Sequence, residues 1–452
     1  MKWPEYSKYT PSCAEWLGDM PAHWNSKRLK YLASINDEAL PETTDAGHEL
    51  AYVDIGSVDS RQGITTIEGM VFEDAPSRAR RIVRDGDTII STVRTYLRAI
   101  APIVQPPANM IVSTGFAVVR PRKLDSRYLS YALRESGFVE TVVARSVGVS
   151  YPAVNASDIG IIPVLVPDVS EQRAISDFLD RETATLDALI GKKRALIGKL
   201  KEKRAALISR TVTHGLPPDA AWAAGLDPAP KLKPSGVDWI DQIPSHWVVK
   251  RLRHISDGIT VGVVVNPSSY VSDEGVPFLL GGDVKELFVD ISNAKRCPKE
   301  VSDGVLSKSR LKHEDLVVVR VGYPGVAAVI PEELEGANCA SMMIVRRHKR
   351  FCSQWLAYVI NSRVGRDQVE IVQYGAAQKQ FNISHAVDFS YPFPPVEEQN
   401  LIANFLDRET AKIDRLIRKV GVVIERLLEY RSALITAAVT GKIDVRNTSK
   451  TL

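Results

Sequence analysis

The chain carries one pattern twice, with its parts in the same order in each half. Trp16-Leu17-Gly18-Asp19-Met20-Pro21-Ala22-His23-Trp24 returns 223 residues later as Trp239-Ile240-Asp241-Gln242-Ile243-Pro244-Ser245-His246-Trp247. Glu171-Gln172-Arg173-Ala174-Ile175 and Phe178-Leu179-Asp180-Arg181-Glu182-Thr183-Ala184 return 227 residues later as Glu398-Gln399-Asn400-Leu401-Ile402 and Phe405-Leu406-Asp407-Arg408-Glu409-Thr410-Ala411. Solenoid units run about 20–50 residues, so a period this long describes something else. Each copy has the length of a domain with an appendage. Two similar modules give two similar but unlike surfaces. That is the layout of a protein that reads a two-part target.

At 452 residues the chain has room for two or three domains, each with its own core. A hydrophobic share of 44% and a charged share of 25% exclude disorder on a large scale. The net charge of +4 suits a nucleic-acid partner without singling one out. Cys13, Cys297, Cys339 and Cys352 show no CxxC spacing, so neither a disulfide framework nor a metal site is indicated. Met1-Lys2-Trp3-Pro4-Glu5 begins no apolar segment, and no run of about 18 apolar residues occurs. A soluble protein of the reducing cytoplasm, with no membrane contact, is the expectation.

The stretch before each Glu-Gln pair reads as mixed α/β (α+β). Strand signals are Asp87–Val93, Ala117–Val119 and Ile159–Val166, answered by Asp315–Val321, Met343–Val345 and Val387–Phe393. Helices are expected over Ser126–Val143 and Ser353–Val372. Beyond the Glu-Gln pairs, Ser170–Val212 and Glu397–Val439 contain no proline. Ile175, Leu179, Leu186, Leu189, Leu196, Leu200 and Leu207 form one apolar seam. Ile402, Leu406, Ile413, Leu416, Val420, Val423, Leu427 and Leu434 form the other. Helices of roughly 42 residues span on the order of 60 Å, more than one domain covers. If a two-fold relates the halves, two long antiparallel coiled-coil helices separate tandem globular modules, and a Pro/Ala-rich linker joins them. The result is a pseudo-two-fold, circular arrangement with adjacent termini.

Catalytic patterns are missing: no GxxxxGK[ST], GxGxxG or HExxH occurs. Tyr391-Pro392-Phe393-Pro394-Pro395 reads as a proline stop between strand and helix. His23 and His246 read as packing residues beside tryptophans, since no carboxylate or cysteine cluster accompanies them in sequence. Catalytic residues, metals and cofactors are therefore not expected in this chain.

Modules that open with Trp-Leu/Ile-x-x-Met/Ile-Pro-x-His-Trp and close with Glu-Gln-x-x-Ile-x-x-Phe-Leu-Asp resemble the specificity subunits of type I restriction-modification enzymes. Ser113–Pro121, Asp315–Gly322, Lys203–Ile208 and Arg431–Ile435 fit that resemblance too. The first half departs from it, with Ser91-Thr92-Val93-Arg94 where the second has Val319-Arg320-Val321-Gly322. The resemblance implies target recognition domains over 1–168 and 236–395, spacer helices over 169–213 and 396–441, a linker over 214–235 and a tail over 442–452. It also implies double-stranded DNA as target, two methyltransferase subunits docked on the helices, and motor-nuclease subunits that join for cleavage. S-adenosylmethionine and ATP chemistry then belongs to those partners.

Reading a base pair takes Arg or Lys for guanine and Asn or Gln for adenine, presented in the major groove. Segments that differ between the halves hold such residues. The candidates are Arg94, Tyr96, Arg98, Arg145, Ser150 and Tyr151 in the first half, and Arg320, Tyr323, Gln378, Lys379 and Gln380 in the second. Lys27 and Arg28, matched by Lys250 and Arg251, are candidates for phosphate contacts or framework. The basic helix face at Lys192, Lys193, Arg194, Lys199 and Lys201 is a solvated face or a cover for spacer DNA. Two rival readings remain: a two-headed coiled-coil adaptor for proteins, and the specificity part of a type II restriction-methyltransferase system. Missing methyltransferase motifs weigh against a fused enzyme.

Overall fold

A computed structural model describes residues 3–264, 266–375 and 379–446. They form two compact units, 3–194 with 422–446 and 195–421. In the first unit an antiparallel sheet runs in the order Ile100–Pro102, Thr88–Ser91, Phe116–Pro121, Ala33–Ile35. Successive side chains of a strand face opposite ways. Ile90, Ala117 and Val119 therefore enter one core with the helices, while Ile89, Phe116 and Val118 enter a second core on the other face. The unbroken apolar runs of the sequence come from this double burial.

The second unit repeats the design with Ile259–Val261, Met342–Val345, Leu316–Val319 and Ala327–Val329. Leu316 and Val318 face one core, Val317 and Val319 the other. Each unit adds a distal sheet. In the first it has four strands, Glu68–Val71, Glu49–Val53, Met110–Ser113 and Ala79–Ile82. The second keeps three, Lys295–Cys297, Val276–Leu279 and Asn338–Cys339, and the fourth shrinks to a bridge between Arg310 and Asn338.

Several expected elements are shorter. The helix expected over Ser126–Val143 is two, Ser126–Leu133 and Ser136–Ala144. Glu135 is extended and its carboxylate caps the second helix through the Gly137 and Phe138 amides. Its counterpart breaks likewise at Ser362, between Ser353–Asn361 and Arg363–Val372. The strands expected over Ile159–Val166 and Val387–Phe393 are Pro163–Val166 and Ser390–Phe393, preceded by the helical turns Ala156–Gly160 and Ile383–Ala386. Short apolar runs do not separate a buried turn from a strand. The stretch read as linker carries a short helix, Pro218–Ala223, and a strand, Leu232–Val237.

The long helices are Val169–His214 and Val396–Val439. In the first unit the start of one packs antiparallel to the end of the other, and Arg431 makes a two-pronged bond to Asp187 at 2.9 and 3.1 Å. In the second unit the repeat-related pair, Arg204 and Asp414, meets at 3.1 Å. The interior of the seam differs from the expected one at mid-helix. Leu189, Leu196, Leu416 and Val423 are exposed. Their neighbours Ile190 and Ile424 are buried, with Ile197 and Ile417 half-buried. Leu179, Leu406, Val420 and Leu434 are buried, and Leu186, Leu200, Leu207, Ile413 and Leu427 half-buried. No helix among the described residues is long and apolar enough to cross a membrane.

Candidate nucleic-acid interface

Both repeated motifs meet on one buried carboxylate per unit. Glu171 accepts the Trp24 indole N–H at 3.0 Å and lies 2.9 Å from the His23 Nε2. Its other oxygen accepts the Tyr6 hydroxyl at 2.7 Å. Glu398 takes Trp247 at 3.0 Å and His246 at 2.9 Å. The histidines thus have a carboxylate partner that their own neighbourhood in sequence lacks. Burial first, then Glu171, holds the Tyr6 hydroxyl well above the usual phenol range.

The adjoining glutamines complete the frame. Gln172 accepts the Asp125 amide at 2.8 Å and donates to the Pro167 carbonyl at 2.9 Å. Gln399 does the same with Cys352 and Pro394, at 2.9 and 2.8 Å. Tyr131 donates to Asp180 and Tyr358 donates to Asp407, each at 2.7 Å. These motifs are scaffold, and no group of three potential metal ligands occurs among the described residues.

What the scaffold presents is a pair of loops, built alike in each unit. In the first, the turn after Thr88–Ser91 is bridged by Val93 to Ala153, which also pairs with Val147 and closes the loop 147–153. In the second, Val321 bridges to Gln380, which pairs with Tyr374. Both loops carry a left-handed glycine just past the pairing, Gly148 at φ +117° and Gly375 at φ +101°. The departure at Arg94 leaves the backbone form intact: Arg94 has φ +51° where Gly322 has φ +92°.

The candidates divide by surroundings. Arg94, Tyr96, Arg98, Arg145, Ser150 and Tyr151 are exposed, with the Arg94 guanidinium 5.0 Å from the centre of the Tyr151 ring. Arg98 pairs with Glu140 at 2.6 Å, and Arg145 closes the helix Ser136–Ala144. In the second unit Tyr323 and Lys379 are exposed and the Lys379 carbonyl accepts the Gly322 amide at 2.9 Å. The Arg320 Nε donates to the Phe381 carbonyl at 3.1 Å, and Gln380 is half-buried in the loop ladder. Gln378 lies outside the described residues. Lys27 and Arg28 are exposed on the strand Asn25–Arg28, which pairs with Pro163–Val166. Lys250 sits 4.1 Å over the Phe393 ring and Arg251 donates to Asp388 at 3.1 Å. Asn382, which accepts the Tyr374 hydroxyl at 2.9 Å, was absent from the sequence reading. Its signal is the repeat itself, since Asn155 stands 227 residues earlier, likewise before a helical turn.

No protein-family model matches the chain. It is 22% identical over 331 residues to the type I restriction enzyme EcoBI specificity subunit of Escherichia coli, covering 72% of this chain and 67% of that one. With the putative type I restriction enzyme MjaX specificity subunit of Methanocaldococcus jannaschii it shares 23% identity over 447 residues, 95% of this chain and 96% of the relative. A solved structure, described as the structural basis of complex assembly and conformational transition of the type I R-M system, matches with a TM-score of 0.62 at 24% identity. It covers 93% of this chain and 98% of that one, and so establishes a shared fold. Along nearly its whole length the chain is similar in sequence to a specificity subunit of type I restriction-modification enzymes, and it shares the fold of a chain from a solved type I R-M system.

Proposed function

We propose that this chain is the DNA sequence-specificity subunit of a cytoplasmic type I restriction-modification complex and is itself not an enzyme. Each unit reads one half of a bipartite, asymmetric site through its loop pair. The long helices act as spacer and dock two methyltransferase subunits, and motor-nuclease subunits join for cleavage. The observation that carries this reading is a single loop architecture built twice with different exposed side chains. Shared backbone with unlike side chains is what two readers of unlike half-sites require. Half-site centres about one helical turn, roughly 10 bp, apart allow both readers to meet one face of the duplex.

The test is the methylome of a host that expresses this chain with its methyltransferase partner. A split, asymmetric motif is the expected result, and a continuous palindrome counts against the reading. The purified chain alone should neither methylate nor cut.

A further inference from the structure

Arg94 occupies a backbone position that the second unit gives to glycine. The turn after the inner strand is left-handed in both units, with Gly322 at φ +92° and Arg94 at φ +51°. A residue with a Cβ is disfavoured there and persists only where its surroundings hold it. Here they do. Val93 is bridged to Ala153, and the Thr95 hydroxyl meets the Ser146 hydroxyl at 2.7 Å across the two loops.

The side chain is also oriented. Its guanidinium lies over the Tyr151 ring, 5.0 Å from its centre, and that ring is 66% exposed. Among the described residues no carboxylate lies within ion-pair distance of Arg94. Arg98 is engaged by Glu140 and Arg320 by the Phe381 carbonyl. Arg145 has no ion pair among the described residues, and no ring there to orient it. A guanidinium held over a ring face keeps donors free for another partner, and its planar donor fork matches O6 and N7 of guanine in the major groove. A phosphate contact needs charge but no such orientation.

We infer that Arg94 reads a guanine in the half-site of the first unit, with Tyr151 as the positioning residue that holds the guanidinium plane. The inference rests on the recognition reading above. Arg94→Gly is the informative variant, because glycine suits the left-handed backbone and keeps the fold. The assay is binding of the complex with its methyltransferase subunits to duplexes in which each base pair of both half-sites is replaced in turn.

In the wild type, replacing one guanine of the first half-site should weaken binding by about 5- to 150-fold. Arg94→Gly should erase that single penalty and leave the others. Arg94→Lys, which keeps the charge without the fork, should lose most of it. Tyr151→Ala should shrink the same penalty alone, and Tyr151→Phe, which preserves the ring face, should restore it. An unchanged penalty profile in Arg94→Gly, or a uniform weakening on every duplex, overturns the assignment of Arg94. A wild-type complex with no base-dependent penalty overturns the recognition reading itself.

Discussion

Glu171 and Glu398 explain why a tryptophan motif and a glutamate motif about 150 residues apart recur together: each carboxylate bonds an indole and an imidazole of its own unit. The histidines are exposed, but removing Glu171 strands the buried Trp24 and Tyr6 donors and removing Glu398 strands the buried Trp247 donor, at about 1–3 kcal/mol for each one left unpaired. Glu171→Ala should therefore destabilise the first unit by several kcal/mol. Glu398→Ala should cost less, because the Tyr6 hydroxyl has no counterpart among the bonds to Glu398. Denaturant titration of both variants ranks them, and the reverse order contradicts this account. Asp444 gives a pH signature beside the same site. Its bond to Arg446 lowers its carboxyl below the usual range. A carboxyl lowered in the folded state stabilises above its unfolded value, near pH 4, and loses that contribution as pH falls through the folded value. Asp444→Asn should thus be less stable than wild type at neutral pH, with the gap narrowing below about pH 4. A gap constant with pH argues against the pairing. The recurring letters were legible in the sequence. The joining of His23 to Glu171, 148 residues away, was not, because it is a product of the fold.

Among the elements, the long helices were legible in length and seam, but their phase at mid-helix was not. Leu189-Ile190, Leu196-Ile197, Leu416-Ile417 and Val423-Ile424 each offer two adjacent apolar residues, about 100° apart around the axis. Either member continues a spacing of three and four. The fold chooses the isoleucine in every case, in register with the repeat-related ion pairs Asp187–Arg431 and Arg204–Asp414. A substitution pair reads out that choice: Ile190 is 4% exposed and Leu189 38%. Ile190→Asp should cost several kcal/mol through a lost apolar contact and a buried charge. Leu189→Asp should stay within about 0.5 kcal/mol of wild type. Equal losses in thermal or denaturant unfolding count against this phase. In the sheets, double burial made the central strands Thr88–Ser91, Phe116–Pro121, Leu316–Val319 and Met342–Val345 legible, whereas the strands of the distal sheets were not expected. The break at Glu135 was missed because a glutamate inside a helical pattern does not reveal that its carboxylate caps the next helix.

On the scale of the whole chain, doubling was the most legible property, since repeated framework letters mark repeated cores. Which loop side chains carry recognition was far less so. Loops show no periodicity, and only their pairing in space sets Arg94 against Tyr151 or Arg320 against Phe381. Two experiments probe the proposed division of labour. Exchanging the segment 374–380 should alter the second half-site alone, and altered bases in both half-sites of the methylome count against independent readers. Deleting seven residues from each long helix removes about 10 Å while keeping the seam in phase. If helix length sets the spacing, the unread stretch should shrink by about 3 bp or modification should cease. An unchanged spacer with full modification counts against that. The division into units also sets an order in time. The second unit is one unbroken stretch, 195–421, whereas the core of the first joins Ile175, Phe178 and Leu179 to Leu434, Ile435 and Val439. A ribosome makes those two sets roughly 250 residues apart, about 10–50 s of synthesis at usual rates. The half that emerges first is therefore the half that finishes last, and its apolar helix face waits uncovered while the later half is already able to fold.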